Sequence, residues 1–225
     1  MCLDVDDTLV DFSGAALAAL SHVLGVTVAE GLWRELTEHH YTRYLDGVVD
    51  FAVMQRDRLA HVVRATGSAV GLDLAALEQR RAEALTRRLR LFDDVPACLA
   101  ELRSQGLLLA AVTNSDGPYQ RGKLVSVGLA DAFDAVVISG EVGVAKPAAA
   151  IFAHACAELG VDPDEAVHVG DKLGTDAVGA RDAGLLGIWL DRDDRGGPVP
   201  DGVVRVRGLD ELPALLRSRA AATSR

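Results

Sequence analysis

Aromatic residues make up only 4% of the 225-residue chain, so the interior must be filled mainly by Ala, Leu and Val. That suits close helix packing and argues against an aromatic cofactor box. Cysteine is scarce as well: Cys2, Cys98 and Cys156 are odd in number, scattered and without CxxC spacing. They exclude a disulfide framework and fit buried thiols in a reducing compartment. No apolar run reaches the roughly 18 residues a membrane span requires, and Asp4 arrives too early for a signal peptide. A cytoplasmic protein without a membrane partner is expected. Positive charge is also short, 23 Lys and Arg against 33 Asp and Glu, for a net charge of −10. Such a field repels a phosphate backbone, which excludes nucleic acid as a partner. A small phosphorylated metabolite stays compatible with it, provided that a cation or a well-placed Lys neutralises charge locally.

With 49% hydrophobic and 25% charged residues the chain can bury a full core, as one domain of ordinary size or one carrying a large insertion. Short apolar runs ending in a polar residue or glycine read as buried parallel strands: Cys2 to Val5, Leu107 to Val112, Ala135 to Ile138, Ala166 to Val169 and Leu186 to Leu190. Helical spacing separates the later ones. Val95, Cys98, Leu99 and Leu102 recur at helical intervals before Gly106, and a second helix is expected from Ala148 to Leu159 with Pro147 in its first turn. Leu209 to Leu216 suggests a last short helix, followed by a frayed tail from Ala220. The alternation predicts an α/β fold, a doubly wound, Rossmann-like, mainly parallel sheet. Residues 14–91 interrupt it with several helical patterns and no strand, far more chain than a crossover needs. They are expected to form an inserted all-helical cap on a core of residues 1–13 and 92–225. Gly67 and Gly71 mark a turn within that cap.

Ligands of open α/β sheets collect beyond the carboxyl ends of the strands, so the polar residues closing each run are the site candidates. They are Asp4 with Asp6, Thr113 with Asn114, Lys146, and Asp171 with Asp176. Asp4 and Asp6 stand two apart at a strand end and repel each other unless neutralised. Mg²⁺ takes oxygen ligands while keeping waters and a substrate phosphate oxygen, so Asp4, Asp6 and Asp171 suit it. One carboxylate can then attack phosphorus, and the second can protonate the leaving alcohol and later take a proton from water. Thr113 and Lys146 fit the need for fixed donors around a phosphoryl group whose charge spreads over its equatorial oxygens. Asn114 either orients the attacking carboxylate, donates through its backbone, or caps the following helix.

These motifs resemble the haloacid dehalogenase superfamily, in its phosphatase branch with a helical cap after the first strand. Asp4-Val5-Asp6-Asp7-Thr8 matches the first motif, Thr113-Asn114-Ser115 the second, Lys146-Pro147 the third, and Gly170-Asp171 through Asp176 the acidic fourth. The resemblance implies a Mg²⁺-dependent phosphatase acting on a nucleoside monophosphate or sugar phosphate through an aspartyl-phosphate, as a monomer or homodimer. By it Asp4 is nucleophile and metal ligand, Asp6 is acid/base and lends its carbonyl to Mg²⁺, and Asp171 is the third protein ligand. Thr113 and Lys146 bind the phosphoryl group, and Asp176 supports the metal. A 2-haloacid dehalogenase is the enzymatic rival, but similar dehalogenases lack the second Asp present here as Asp6. A phosphomutase would differ in water access, and a non-catalytic regulatory protein would have lost an essential carboxylate. Lys172 and Ala148 depart from the usual pattern, adding a cation near the metal and removing an acidic residue after Lys-Pro. The strand before Asp4 is short beside the typical 5 or 6 residues, so the natural start is expected upstream of Met1.

Singly, each signal has a plainer meaning: Asp-x-Asp is usually a turn or a helix cap. Asp7 reads as a loop residue and His168 as part of a strand core. His39 and His40, with Tyr41 and Tyr44, are expected to line a helix surface rather than face substrate. Arg56, Arg58 and the run from Arg80 to Arg90 read as solvated faces. Gln120 and Lys123 stand just after Thr113-Asn114 and are expected at the pocket rim.

Overall fold

In a computed structural model of the chain, which describes residues 1–68, 71, 73–194 and 196–223, six strands pair in parallel. They are β1 (Cys2–Leu3), β2 (Ala110–Thr113), β3 (Ala135–Ile138), β4 (Val167–Gly170), β5 (Leu186–Leu190) and β6 (Val203–Val206), in the order β3-β2-β1-β4-β5-β6. The doubly wound parallel sheet expected from the alternation is therefore present. From β1 the chain winds outward through β2 and β3, then crosses back to β4 on the other side of β1 and winds outward again, which puts the crevice of such a sheet at the end of β1. β1 is shorter than the run from Cys2 to Val5 suggested, but its ladder continues at both ends. Asp4 N–H donates to the Val169 carbonyl at 2.9 Å, and Ala110 N–H to the Met1 carbonyl at 2.9 Å.

Two compact units emerge, Met1–Asp11 with Arg90–Arg225, and Phe12–Leu89. In the first, helix α8 (Ala149–Leu159) lays Ile151, Phe152, Ala155 and Leu159 against Ala110, Val112 and Val137 of the sheet. The residues recur at helical spacing because an amphipathic crossover must bury one stripe. Pro147 lies before that helix, in a cis peptide bond with Lys146, and not in its first turn as the Lys-Pro break suggested. Helix α5 (Val95–Ser104) buries Val95, Cys98, Leu99 and Leu102 and ends before Gly106, whose φ of 76° is readily adopted only without a Cβ. The final helix, α10 (Leu212–Thr223), runs longer than expected and takes in the first residues assigned to a frayed tail; Ser224 and Arg225 lie outside the described residues.

The second unit consists, among its described residues, of four helices: α1 (Phe12–Leu24), α2 (Glu30–Leu45), α3 (Phe51–Thr66) and α4 (Leu74–Thr86). Ala16, Ala19, Leu20, Trp33, Leu59, Val62, Leu77 and Leu85 fill its interior, where the small alanines let helices approach closely. Asp50 accepts from Val53 N–H at 2.7 Å and Asp73 from Ala75 N–H at 3.0 Å, so both later helices begin on a side-chain cap. Gly67 ends α3 with φ 63°; of the turn expected between Gly67 and Gly71, Ala69 and Val70 lie outside the described residues. Two arginines read as solvated are buried. The Arg58 guanidinium lies 4.5 Å from the Trp33 ring centroid, and Arg81 donates to both Glu78 oxygens at 2.8 and 2.5 Å. Long aliphatic stems can pack inward while the charged heads keep a partner. His40 is also buried, beside His61, whereas His39 lines a shallow recess with Glu35, Leu36 and Glu38.

Candidate active site

The ends of the three central strands bring the candidate residues together. Asp4 follows β1, Thr113 closes β2 and Asp171 follows β4, while Asp176 sits in a π-helical turn, Leu173–Val178, that leads into α9 (Gly179–Asp182). Lys146 arrives from the loop after α7 (Ser139–Val142), the short helix that follows β3, and binds across the cluster. Its Nζ donates to Asp4 Oδ1 at 2.7 Å, Asp176 Oδ1 at 2.6 Å and the Val112 carbonyl at 2.8 Å. An ammonium has three N–H donors, so all of them are engaged with protein acceptors. Gly170 permits this packing: a Cβ there would lie 2.3 Å from Asp176 Cγ.

Asp4, Asp171 and Asp176 each offer a carboxylate oxygen within 4.8 Å of the others. Burial pushes Asp4 up to about 6; Lys146 pulls against this and Asp176 adds to it. Asp171 is pushed up to about 8 by burial, then by the charges of Asp4 and Asp176. Asp176 is also buried, but Lys146 and His168 outweigh that cost and hold it below the ordinary carboxylate range. Burial would pull Lys146 down, and Asp176 with Asp4 outweighs it, so the ammonium is held above its usual value. The cluster thus has too few positive charges for its carboxylates, and its oxygen donors fit a hard divalent cation. The Asp6 carboxylate is not in this cluster but is turned to Lys123, whose Nζ donates to its two oxygens at 2.5 and 2.6 Å.

The remaining residues have defined partners. Thr113 Oγ1 accepts from Gln120 Nε2 at 3.2 Å, leaving its own hydrogen to donate elsewhere. The next helix takes its N-cap from Asp116, and Asn114 turns to the chain beside Lys146. Its amide makes a reciprocal pair with the Lys146 backbone, Nδ2 donating to the carbonyl at 2.9 Å and Oδ1 accepting from the N–H at 2.8 Å. The cap of α6 (Gly117–Ser126) is Asp116, which accepts from Tyr119 N–H at 3.1 Å. Gln120 and Lys123 are buried rather than at a rim, because positions three apart share a helix face and both turn inward. Asp7 is a loop residue with φ 61°.

Two further residues make contacts that their sequence context does not announce. Thr8 Oγ1 donates to Asp4 Oδ2 at 3.3 Å and accepts from Asp171 N–H at 3.1 Å, coupling the first and fourth motifs. Its place as the last residue of the first motif was the available signal. His168 lies in the core as expected, yet its Nε2 also reaches Asp176 Oδ1 at 3.2 Å. Nothing in the local pattern distinguishes that histidine from an ordinary core residue.

A model of the haloacid dehalogenase-like hydrolase family matches residues 1–184. The chain is similar to the phosphoserine phosphatase of Thermus thermophilus, 48% identical over 47% of this chain, although the match spans only 43% of that protein. Similarity to the glyceraldehyde 3-phosphate phosphatase of Methanopyrus kandleri extends further, 35% identical over 84% of this chain and 82% of the relative. Among solved structures, a HAD hydrolase of Bacillus subtilis superposes with a TM-score of 0.76 at 23% identity over 96% of each chain, a likeness of fold. With the matched model covering most of its length, this chain belongs to the haloacid dehalogenase-like hydrolases.

Proposed function

We propose that the chain is a Mg²⁺-dependent phosphatase of a small phosphorylated metabolite, working through an aspartyl-phosphate on Asp4, with the helical unit as its cap domain. The observation that carries this reading is Asp4 itself: a buried carboxylate at a central strand end, touching Lys146 and lying close to Asp171 and Asp176. Asp4, Asp171 and the backbone carbonyl of Asp6 would hold Mg²⁺, with Asp176 in support. The cation would offset the carboxylate charge and polarise the phosphoryl oxygens.

In the first step an Asp4 oxygen attacks phosphorus, the bond to the alcohol oxygen breaks, and Asp6 delivers the proton that the leaving alkoxide takes. In the second, Asp6 takes a proton from water as that water attacks phosphorus, releasing phosphate and free Asp4. The Thr113 hydroxyl, held by Gln120, donates to a phosphoryl oxygen. Lys146 supplies positive charge beside the attacking carboxylate. A sugar phosphate or nucleoside monophosphate is the substrate class. The named activity of the Methanopyrus kandleri relative, glyceraldehyde 3-phosphate phosphatase, supports the sugar-phosphate side. The acidic net charge of −10 supports a small substrate over nucleic acid, and the scarcity of cysteine supports a cytoplasmic setting.

The test is Mg²⁺-dependent turnover of para-nitrophenyl phosphate and a panel of sugar phosphates and nucleotides. Asp4→Asn is expected to lower kcat by about 1,000-fold, on the order of 4 kcal/mol of barrier. Turnover unchanged in Asp4→Asn, or absent across the panel, would overturn the reading.

A further inference from the structure

Helix α6 presents one face to the site, and two of its residues do different work there. Gln120 holds the Thr113 hydroxyl, and one turn later Lys123 reaches Asp6, 117 residues away in the chain. The Lys123 side chain is 2% exposed, and its Nζ lies 5.0 Å from the Tyr119 ring centroid. A buried ammonium needs counter-charge, and here the proposed acid/base itself supplies some. Both hydrogen bonds to the Asp6 carboxylate come from this one ammonium, one to each oxygen. The Asp6 backbone is fixed separately, through its bridge to Val10 and the hydrogen bond from Asp7 N–H to the Val10 carbonyl at 2.8 Å. With the backbone anchored, the side-chain torsions of Asp6 answer to Lys123.

We infer that Lys123 is a positioning residue for proton transfer: its two-pronged grip on Asp6 sets where that carboxylate stands for the leaving alcohol and for the attacking water. The inference rests on the phosphatase reading and deepens it. Proton transfer requires the donor within hydrogen-bond reach of the departing oxygen, and a carboxylate free to rotate spends much of its time elsewhere.

Leaving-group dependence separates this role from a merely structural one. A para-nitrophenolate departs without a proton, whereas an alkyl alkoxide needs one. Lys123→Met is therefore expected to lower kcat/KM, which reports the steps up to alcohol departure and not the later water attack common to both esters, about 10- to 100-fold on an alkyl phosphate such as glycerol 3-phosphate, and less than about 3-fold on para-nitrophenyl phosphate. In an Asp6→Asn background the same substitution should leave the alkyl-to-aryl ratio unchanged. Lys123→Arg keeps the cation, moves its donors, and carries the same comparison if Lys123→Met fails to fold. Equal slowing of both esters by whichever variant folds, or a ratio shift that persists without Asp6, would overturn the inference while leaving the phosphatase reading intact. A wild-type protein that hydrolyses neither ester would remove both.

Discussion

Asp94 carries three hydrogen bonds on one carboxylate. Arg192 donates to Oδ2 at 2.8 Å and to Oδ1 at 3.0 Å, and Leu209 N–H donates to Oδ2 at 2.8 Å. The same guanidinium donates to the Thr8 carbonyl at 2.8 Å, so this ion pair braces the loop that follows the nucleophile. Burial would raise the Asp94 carboxyl, but the hydrogen bonds from Arg192 and Leu209 outweigh it and hold the group below its ordinary value. Its folded value is thus lower than the unfolded one of about 3.9, and the stabilisation is present above that pH and lost as pH falls through the folded value. Asp94→Asn is expected to cost about 2 kcal/mol at pH 7, with the gap to wild type narrowing below about pH 4. Urea unfolding at both pH values checks this, and an equal gap at both would contradict it. Asp4, Lys146, Asp171 and Asp176 were legible in the sequence because each follows a recognisable apolar run. The Lys123 to Asp6 contact was not, since a pairing across 117 residues depends on which helix face turns inward. Asn114 misled for a related reason: an amide two residues before Asp116 looks like a cap until the tertiary fold supplies the Lys146 backbone.

Phe152 shows how an element supports the site from behind. Fully buried on α8, its ring meets the His168 ring edge-on, with centroids 5.1 Å apart, and His168 in turn reaches Asp176. Phe152→Ala is expected to lower unfolding free energy by about 3–5 kcal/mol through lost burial and a residual cavity. Chemical denaturation reads it, and a loss under about 1 kcal/mol would mean that the helix does not depend on this side chain. Elements with strong patterns were readable: Ala135–Ile138 and Leu186–Leu190 have the predicted limits, and α5 and α8 lie within a residue or so of theirs. The second strand begins later than expected, at Ala110, because Leu107 and Leu108 are apolar yet precede the ladder. Strand β6 has no clear sequence signal, since Val203 to Val206 includes Arg205 and lies at the sheet edge, where partial exposure removes the continuous apolar pattern. The limits of the helical unit, Phe12 and Leu89, differ by two residues from the composition break at 14 and 91.

At the scale of the whole molecule, the proposed metal site predicts that folding is coupled to ions. Asp171 is raised to about 8 in the fold by burial, Asp4 and Asp176, so keeping it ionised at neutral pH opposes folding, and the penalty grows as pH rises from about 4 toward that value. A cation that binds only the folded cluster reverses this. At Mg²⁺ about 100-fold above its dissociation constant the gain is about 2.7 kcal/mol, raising the unfolding temperature by roughly 5–10 °C for a chain of this size. Asp171→Asn is expected to melt higher than wild type in EDTA and to respond little to Mg²⁺. Scanning calorimetry with and without the ion decides it, and an equal Mg²⁺ shift in the variant would contradict the assignment. The three thiols have a practical corollary on the same scale. All are buried; burial pushes Cys2 up to about 11 and Cys98 up to about 12, and raises Cys156 as well. Maleimide chemistry near neutral pH consumes thiolate, so the native protein offers it almost no target. One cysteine introduced on the surface would take up a fluorophore or spin label selectively, giving a spectroscopic handle on the native background without first removing any of the three.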